Sequence, residues 1–260
     1  LGQSRLEDSL WSALTDTYCG CPMAITAENL AQKYEVTREE TDEYAVRSHQ
    51  LAAAAYEAGH LQEEIVAIDV PTKKGPKRVD RDEQVRADST VEALAKLKPS
   101  FLSTGVVTAG NASGINDGAA ALVLCTAESA KQRSIKPLGK LVAWGVKGVQ
   151  PDIMGIGPAS AARDALQKAG LTLADMDVIE INEAFASQYL AVEKELGLSR
   201  EKTNVNGGAV ALGHPLGASG ARLTLTILHE LRRRGGRYGL ASACIGGGQG
   251  IALIVEAWKD

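Results

Sequence analysis

Between Asn204 and Gly250 the chain carries glycine too densely for ordinary helix or strand. It reads Asn204-Val-Asn-Gly-Gly-Ala-Val-Ala-Leu-Gly213-His214-Pro215-Leu-Gly217-Ala-Ser219-Gly220, an amphipathic run to Arg234, then Ala241-Ser-Ala-Cys244-Ile-Gly246-Gly247-Gly248-Gln-Gly250. Glycine weakens both regular structures, so it is kept where the backbone takes positive φ or approaches something closely. Here it frames one histidine and one cysteine, the side chains whose protonation is most easily moved near neutral pH, from about 6.5 and about 8.5. Either alone is more often packed in a core than chemical; the paired glycine frames point to a site.

The flanking pattern supplies the scaffold. Leu138 to Trp144 is apolar, Pro158 opens a helix that Gly170 closes, and Val178 to Ile181 is a strand. Asn182-Glu183-Ala-Phe185-Ala186 leads into a helix ending at Gly197, and Tyr238 to Ala243 is a further strand. Strand and helix in alternation predict α/β layers, with ligands held outside the carboxyl ends of the strands. Asn182 and Cys244 follow two of those strands and His214 precedes a helix, so the three share one rim.

The first half is helical at its start. Two short helices flank Pro22-Met23, and Thr37-Arg-Glu-Glu40 is a capping box opening a helix through Tyr44 and His49 to Ala58, stopped by Gly59. His49 and His60 read as surface histidines. Ile65 to Val70 alternates like a strand, and the basic stretch Pro71 to Arg86 reads as a solvated hairpin able to meet phosphate. The small-residue loop Thr108 to Gly118 should feed a buried strand at Ala119 to Leu124, with Cys125 at its end, as Cys244 to Gly250 feeds Ile251 to Val255. That parallel suggests two copies of one architecture.

Composition excludes several classes. With 45% hydrophobic and 23% charged residues and a net charge of -4, the 260-residue chain has no general attraction for nucleic acid or an anionic membrane. No apolar run nears the roughly 20 residues of a membrane span. Four cysteines without a C-x-x-C pair suit a reducing compartment, and Cys19-Gly-Cys21 reads as a loop feature and not a metal site. The chain opens at Leu1 with no leader-like stretch, so a targeting segment is expected only upstream.

Asn182-Glu-Ala-Phe-Ala, Gly-Gly-Ala-Val-Ala-Leu-Gly-His214-Pro-Leu-Gly-Ala-Ser-Gly and Cys244-Ile-Gly-Gly-Gly-Gln-Gly resemble, in order, the three C-terminal motifs of the thiolases. Likeness extends over the whole chain, including Thr26-Ala-Glu-Asn-Leu-Ala and Thr108-Ala-Gly-Asn-Ala-Ser, and is nearest to the 3-ketoacyl-CoA thiolases, with acetoacetyl-CoA thiolase next. It implies an α/β, duplicated βαβαβαββ layered fold with its N-terminal half incomplete. Residues 1–134 would be the remainder of the N-terminal domain, with a loop domain over about 1–104, and residues 135–260 the C-terminal domain.

The resemblance implies thiolytic cleavage of a 3-ketoacyl-CoA or the reverse Claisen condensation. Cys244 would be the acid/base, His214 with a water held by Asn182 one oxyanion hole, and the Gly246 amide part of a second. Met23, Ala109, Ser113 and Phe185 would line the pantetheine path and Arg86 the nucleotide end. Coenzyme A is then a co-substrate, with no permanently bound cofactor and no metal. A homodimer or homotetramer is implied, cytoplasmic in a bacterium or in the matrix of a mitochondrion. No cysteine fits the family's nucleophile position, which falls before Leu1. The chain is therefore expected to be inactive alone and to expose an apolar face. Two other readings stay open: a non-catalytic CoA-binding or assembly polypeptide, and a cysteine hydrolase with Cys244 as nucleophile and His214 as base.

Overall fold

The structure is a computed structural model describing residue 2 and residues 6–258. Helix α1 (Ser9–Ala13) starts at Asp8, whose carboxylate accepts from the Leu10 and Trp11 amides. Helix α2 (Met23–Lys33) follows Pro22. Helix α3 (Arg38–Glu57) opens on the expected capping box: Thr37 Oγ1 accepts from the Glu40 amide at 3.2 Å and the Glu40 carboxylate accepts from the Thr37 amide at 2.6 Å. The inner face of α3 carries Tyr44, Ser48 and His49. His49 is buried, contrary to the surface reading, and its Nδ1 accepts from the Arg86 amide at 3.2 Å. An isolated histidine on a long helix gives no local sign of which face it occupies; the strap at residues 82–86 covers it here.

Strands β1 (Ile68–Val70) and β2 (Lys77–Val79) form an exposed hairpin, so the expected strand is shorter at its start and is itself one arm of the hairpin, and helix α4 (Val91–Leu94) follows with Thr90 as its cap. Helix α5 (Ala127–Gln132) is likewise capped by Thr126. The run before α5 departs from expectation. Residues 119–125 form no strand, and Val123 and Leu124 are 98% and 75% exposed, as is Cys125 at the end. The apolar pattern is that of a buried strand, but no described residue offers it a ladder or an apolar face, and a strand without a partner is not stable in water.

The second half builds the sheet. Its elements are β3 (Gly139–Gly148), α6 (Gly157–Ala169), β4 (Val178–Ile181), α7 (Ala186–Leu196), α8 (Ala209–Leu212), α9 (Ser219–Arg234), β5 (Tyr238–Ile245) and β6 (Gln249–Ala257). The strand order is β3-β6-β5-β4, with β4 and β5 parallel and the other pairs antiparallel. Side chains alternate between the two faces. Ile179, Leu240 and Ile254 join α6 and α7 in the larger core, while Val178, Ala241 and Val255 meet Leu223, Ile227 and Leu231 of α9. Each fully buried Leu or Ile of that α9 stripe contributes about 1.5–3 kcal/mol. Tyr44 of α3 stacks on Tyr189 of α7 at 4.1 Å, fastening the first half to the second.

Two details fix the sheet's carboxyl edge. Asn204 takes φ of 47°, and its side-chain amide accepts from Ile181 N and donates to Ile181 O, both at 2.9 Å, as a neighbouring strand would. Gly157, opening α6, and Gly250, second residue of β6, meet backbone against backbone; a Cβ on either would overlap the other segment.

Candidate active site

Cys244 lies at the end of β5, beside the tight β5–β6 turn in which Gly247 and Gly248 have φ of 83° and 80°. Val149 donates to Gly248 O at 2.7 Å, and a Cβ on Gly248 would strike the Val149 carbonyl, so the turn rests directly on main chain. Desolvation pushes the Cys244 thiol up to about 12. At neutral pH it is a protonated group, able to give a proton to a carbanion and strongly basic once it has done so.

His214 stands in the loop between α8 and α9. Its amide donates to Gly114 O at 3.2 Å; Gly213, at φ of 97°, lies against the Asn116 side chain, and Pro215 against Gly118. The small-residue loop at 113–118 thus forms the bed of the histidine loop, which explains its composition. His214 Nδ1 is 2.6 Å from Ser219 Oγ and Nε2 is 3.2 Å from Asn182 Nδ2. Burial, then the nearby Arg222 cation, lowers the imidazole to about 4, so the ring is neutral at physiological pH.

Asn182 is fully buried one residue past β4, and its neighbour Glu183 holds it there. The buried Glu183 carboxylate accepts from Tyr44 Oη at 2.7 Å and Asn204 Nδ2 at 2.9 Å on one oxygen. The other accepts from Ser48 Oγ at 2.7 Å and the Val210 amide at 3.1 Å. Four donors from α3, the strand-mimicking asparagine and α8 therefore converge on the residue beside Asn182. Glu180, on the α9 face of β4, pairs with Arg222 at 3.3 Å; desolvation raises it to about 8 despite that cation.

His214, Cys244 and Gly246 line one cavity of about 540 Å³ with Met23, Ser113 and Phe185. Asn182 reaches it only through His214. The Ser113 hydroxyl donates to Ala184 O at 2.9 Å, bracing the turn as well as facing the cavity. Ala109 and Arg86 are not on this wall. Ala109 is exposed in a turn closed by the Asn111 side chain, and the Arg86 guanidinium donates to Glu83 O at 2.9 Å. Trp11, Phe101, Met154 and Leu216 also line the cavity, unpredicted because a lone apolar residue carries no local mark of lining a pocket. Ser219 was legible only as part of the histidine motif. Cys19, Cys21 and Cys125 lie off the cavity, and among the described residues no three His, Cys, Asp or Glu side chains gather as a metal site. No helix among them is long and apolar enough to cross a membrane.

Comparison with known proteins gives two family models, "Thiolase, N-terminal domain" over residues 1–128 and "Thiolase, C-terminal domain" over residues 135–257. The chain is 55% identical over 253 residues to the mitochondrial 3-ketoacyl-CoA thiolase of Homo sapiens, covering 97% of this chain and 64% of the relative. It superposes on the crystal structure of Bacillus anthracis acetyl-CoA acetyltransferase with a TM-score of 0.95 at 53% identity, covering 99% of this chain and 66% of that one. The human mitochondrial 3-ketoacyl-CoA thiolase in complex with CoA gives 0.91 at 50% identity, covering 99% and 65%. The chain spans just under two thirds of the length of these relatives.

Proposed function

The chain belongs to the thiolase family and has its layered α/β fold, and from that premise we propose that it carries the acid/base and oxyanion-binding groups of a CoA-dependent acyl transfer. The reaction is thiolytic cleavage of a 3-ketoacyl-CoA to acetyl-CoA and a shortened acyl-CoA, or the reverse Claisen condensation. One observation carries this reading: the Cys244 thiol and the Asn182-bonded His214 imidazole open on the same largely apolar cavity.

Cys244 exchanges a proton with the α-carbon of the bound thioester. Its raised affinity for the proton suits a carbon acid, since a more basic thiolate lowers the uphill cost of taking the α-proton. His214, neutral and fixed at both nitrogens, stabilises the enolate oxygen together with a water on Asn182. The Gly246 amide, exposed beside the tight turn, serves the second oxyanion. CoA runs past Met23, Phe185 and Ser113 on the cavity wall, with Ala109 beyond that wall on the pantetheine path and Arg86 near the nucleotide end. It is a co-substrate; no permanent cofactor is needed. Residues 1–134 and 135–260 act as the two domains of the family, in a homodimer or homotetramer. The compartment is the cytoplasm in a bacterium or the mitochondrial matrix in a eukaryote.

The attacking thiol is not among the four cysteines here. Cys244 is a poor nucleophile when its proton is held so tightly, which also argues against the cysteine-hydrolase reading. The test fuses the chain to the N-terminal part of a relative and assays thiolysis of acetoacetyl-CoA. Turnover by the fusion, its loss in Cys244→Ala, and none by the 260 residues alone are expected. A fusion that binds CoA without turnover would favour a binding module; turnover by the chain alone would overturn the assignment.

A further inference from the structure

A neutral imidazole has one proton, and binding an enolate oxygen at His214 requires it on Nε2. Three observations around Ser219 bear on where it sits. First, the contact between Ser219 Oγ and His214 Nδ1 is 2.6 Å, a length that suits a hydroxyl donor better than an N–H donor, whose bonds usually span about 2.7–3.2 Å. Second, Pro215 O, the hydroxyl's other neighbour at 3.0 Å, already accepts from the amides of Ala218 at 2.9 Å and Ser219 at 3.0 Å and does not need a third donor.

Third, Asn182 Oδ1 is buried with no partner, while Nδ2 is turned to His214. Oxygen and nitrogen of an amide occupy nearly the same shape, and the hydrogen-bond network decides between them. With the amide turned over, Oδ1 accepts from Nε2–H while the site is empty, a bond that the enolate oxygen would replace on binding. Nδ2 then takes the buried direction that Oδ1 held.

We propose that Ser219, 3% exposed at the first turn of α9, is a positioning residue that donates to His214 Nδ1 and so fixes the ring's proton on Nε2, where the enolate oxygen is to be bound. Its catalytic consequence rests on the thiolase reading above; the tautomer itself does not. Serine suits this task because its hydroxyl can donate, whereas an acceptor-only group at 219 would draw the proton to Nδ1.

The experiment labels the histidines of the 260-residue chain with nitrogen-15 and reads the ring nitrogens of His214 between pH 6 and 8, with His49, His60 and His229 as folding controls. The wild type is expected to show a protonated Nε2 and a bare, hydrogen-bonded Nδ1. Ser219→Ala should move the Nδ1 signal toward that of an unbonded nitrogen, and Ser219→Asp should transfer the proton to Nδ1. In the active fusion, Ser219→Asp should lower kcat on the order of tenfold or more with KM little changed, the signature of a lost transition-state contact. A wild-type ring protonated on Nδ1, or an Nδ1 signal indifferent to Ser219→Ala, overturns the proposal whether or not the fusion turns over. Normal tautomers in an inactive fusion would instead count against the thiolase reading.

Discussion

Replacing Glu183 by glutamine probes how the site is held. The native carboxylate accepts four hydrogen bonds at 2.7–3.1 Å, two to each oxygen. Each oxygen serves one hydroxyl, Tyr44 or Ser48, which can rotate, and one N–H, from Asn204 or Val210, which cannot. The Asn204 amide is pinned by its two bonds to Ile181, and the Val210 amide is main chain. Whichever way the new amide is placed, its NH2 meets one immovable N–H. Leaving one buried donor unpaired costs about 1–3 kcal/mol, so Glu183→Gln should lose about 2 kcal/mol. Glu183→Ala orphans all four donors and should lose at least about 4 kcal/mol, much of a typical domain's 5–15 kcal/mol. Urea unfolding followed by circular dichroism measures both. A Glu183→Gln midpoint within about 0.5 kcal/mol of wild type would refute the donor count, since that is the scatter of neutral surface changes.

His214 has its folded pKa depressed to about 4, so the unfolded chain binds the extra proton first and stability falls as pH drops from about 6.5 through 4. At pH 4 wild type should have lost about 3 kcal/mol that His214→Gln retains; parallel curves would contradict the buried neutral ring. Iodoacetamide should label exposed Cys125 well before Cys244, whose rate should climb about tenfold per pH unit toward pH 11. Equal rates at pH 8 would remove the desolvation argument. Gly250→Ala should cost about 3 kcal/mol or more by forcing β6 away from α6, read as a lower melting temperature; an unchanged melt would refute the close approach.

Local chemistry made much of this fold legible. The Thr37 capping box, the Gly170 and Gly197 stops and the β4 strand all stand where the sequence places them, because each is written within a few neighbouring residues. What escaped was tertiary. His49 is buried because a strap crosses it, and residues 119–125 stay exposed because a strand pattern is only half of a ladder. In the site, His214 and Cys244 were announced by their glycine frames, whereas Glu183 and Asn204 act through partners far along the chain, from Ser48 to Val210.

On the acyl-transfer reading proposed above, the contact of Gly157 with Gly250 bears on how substrate preference could vary. It seats the cysteine-bearing hairpin on main chain alone, leaving no side chain there to lengthen, shorten or re-aim. The sulfur is in effect a fixed post. Room for a bulkier acyl group would then come from the other lining residues, such as Trp11, Phe101, Met154 and Leu216, whose side chains can be exchanged.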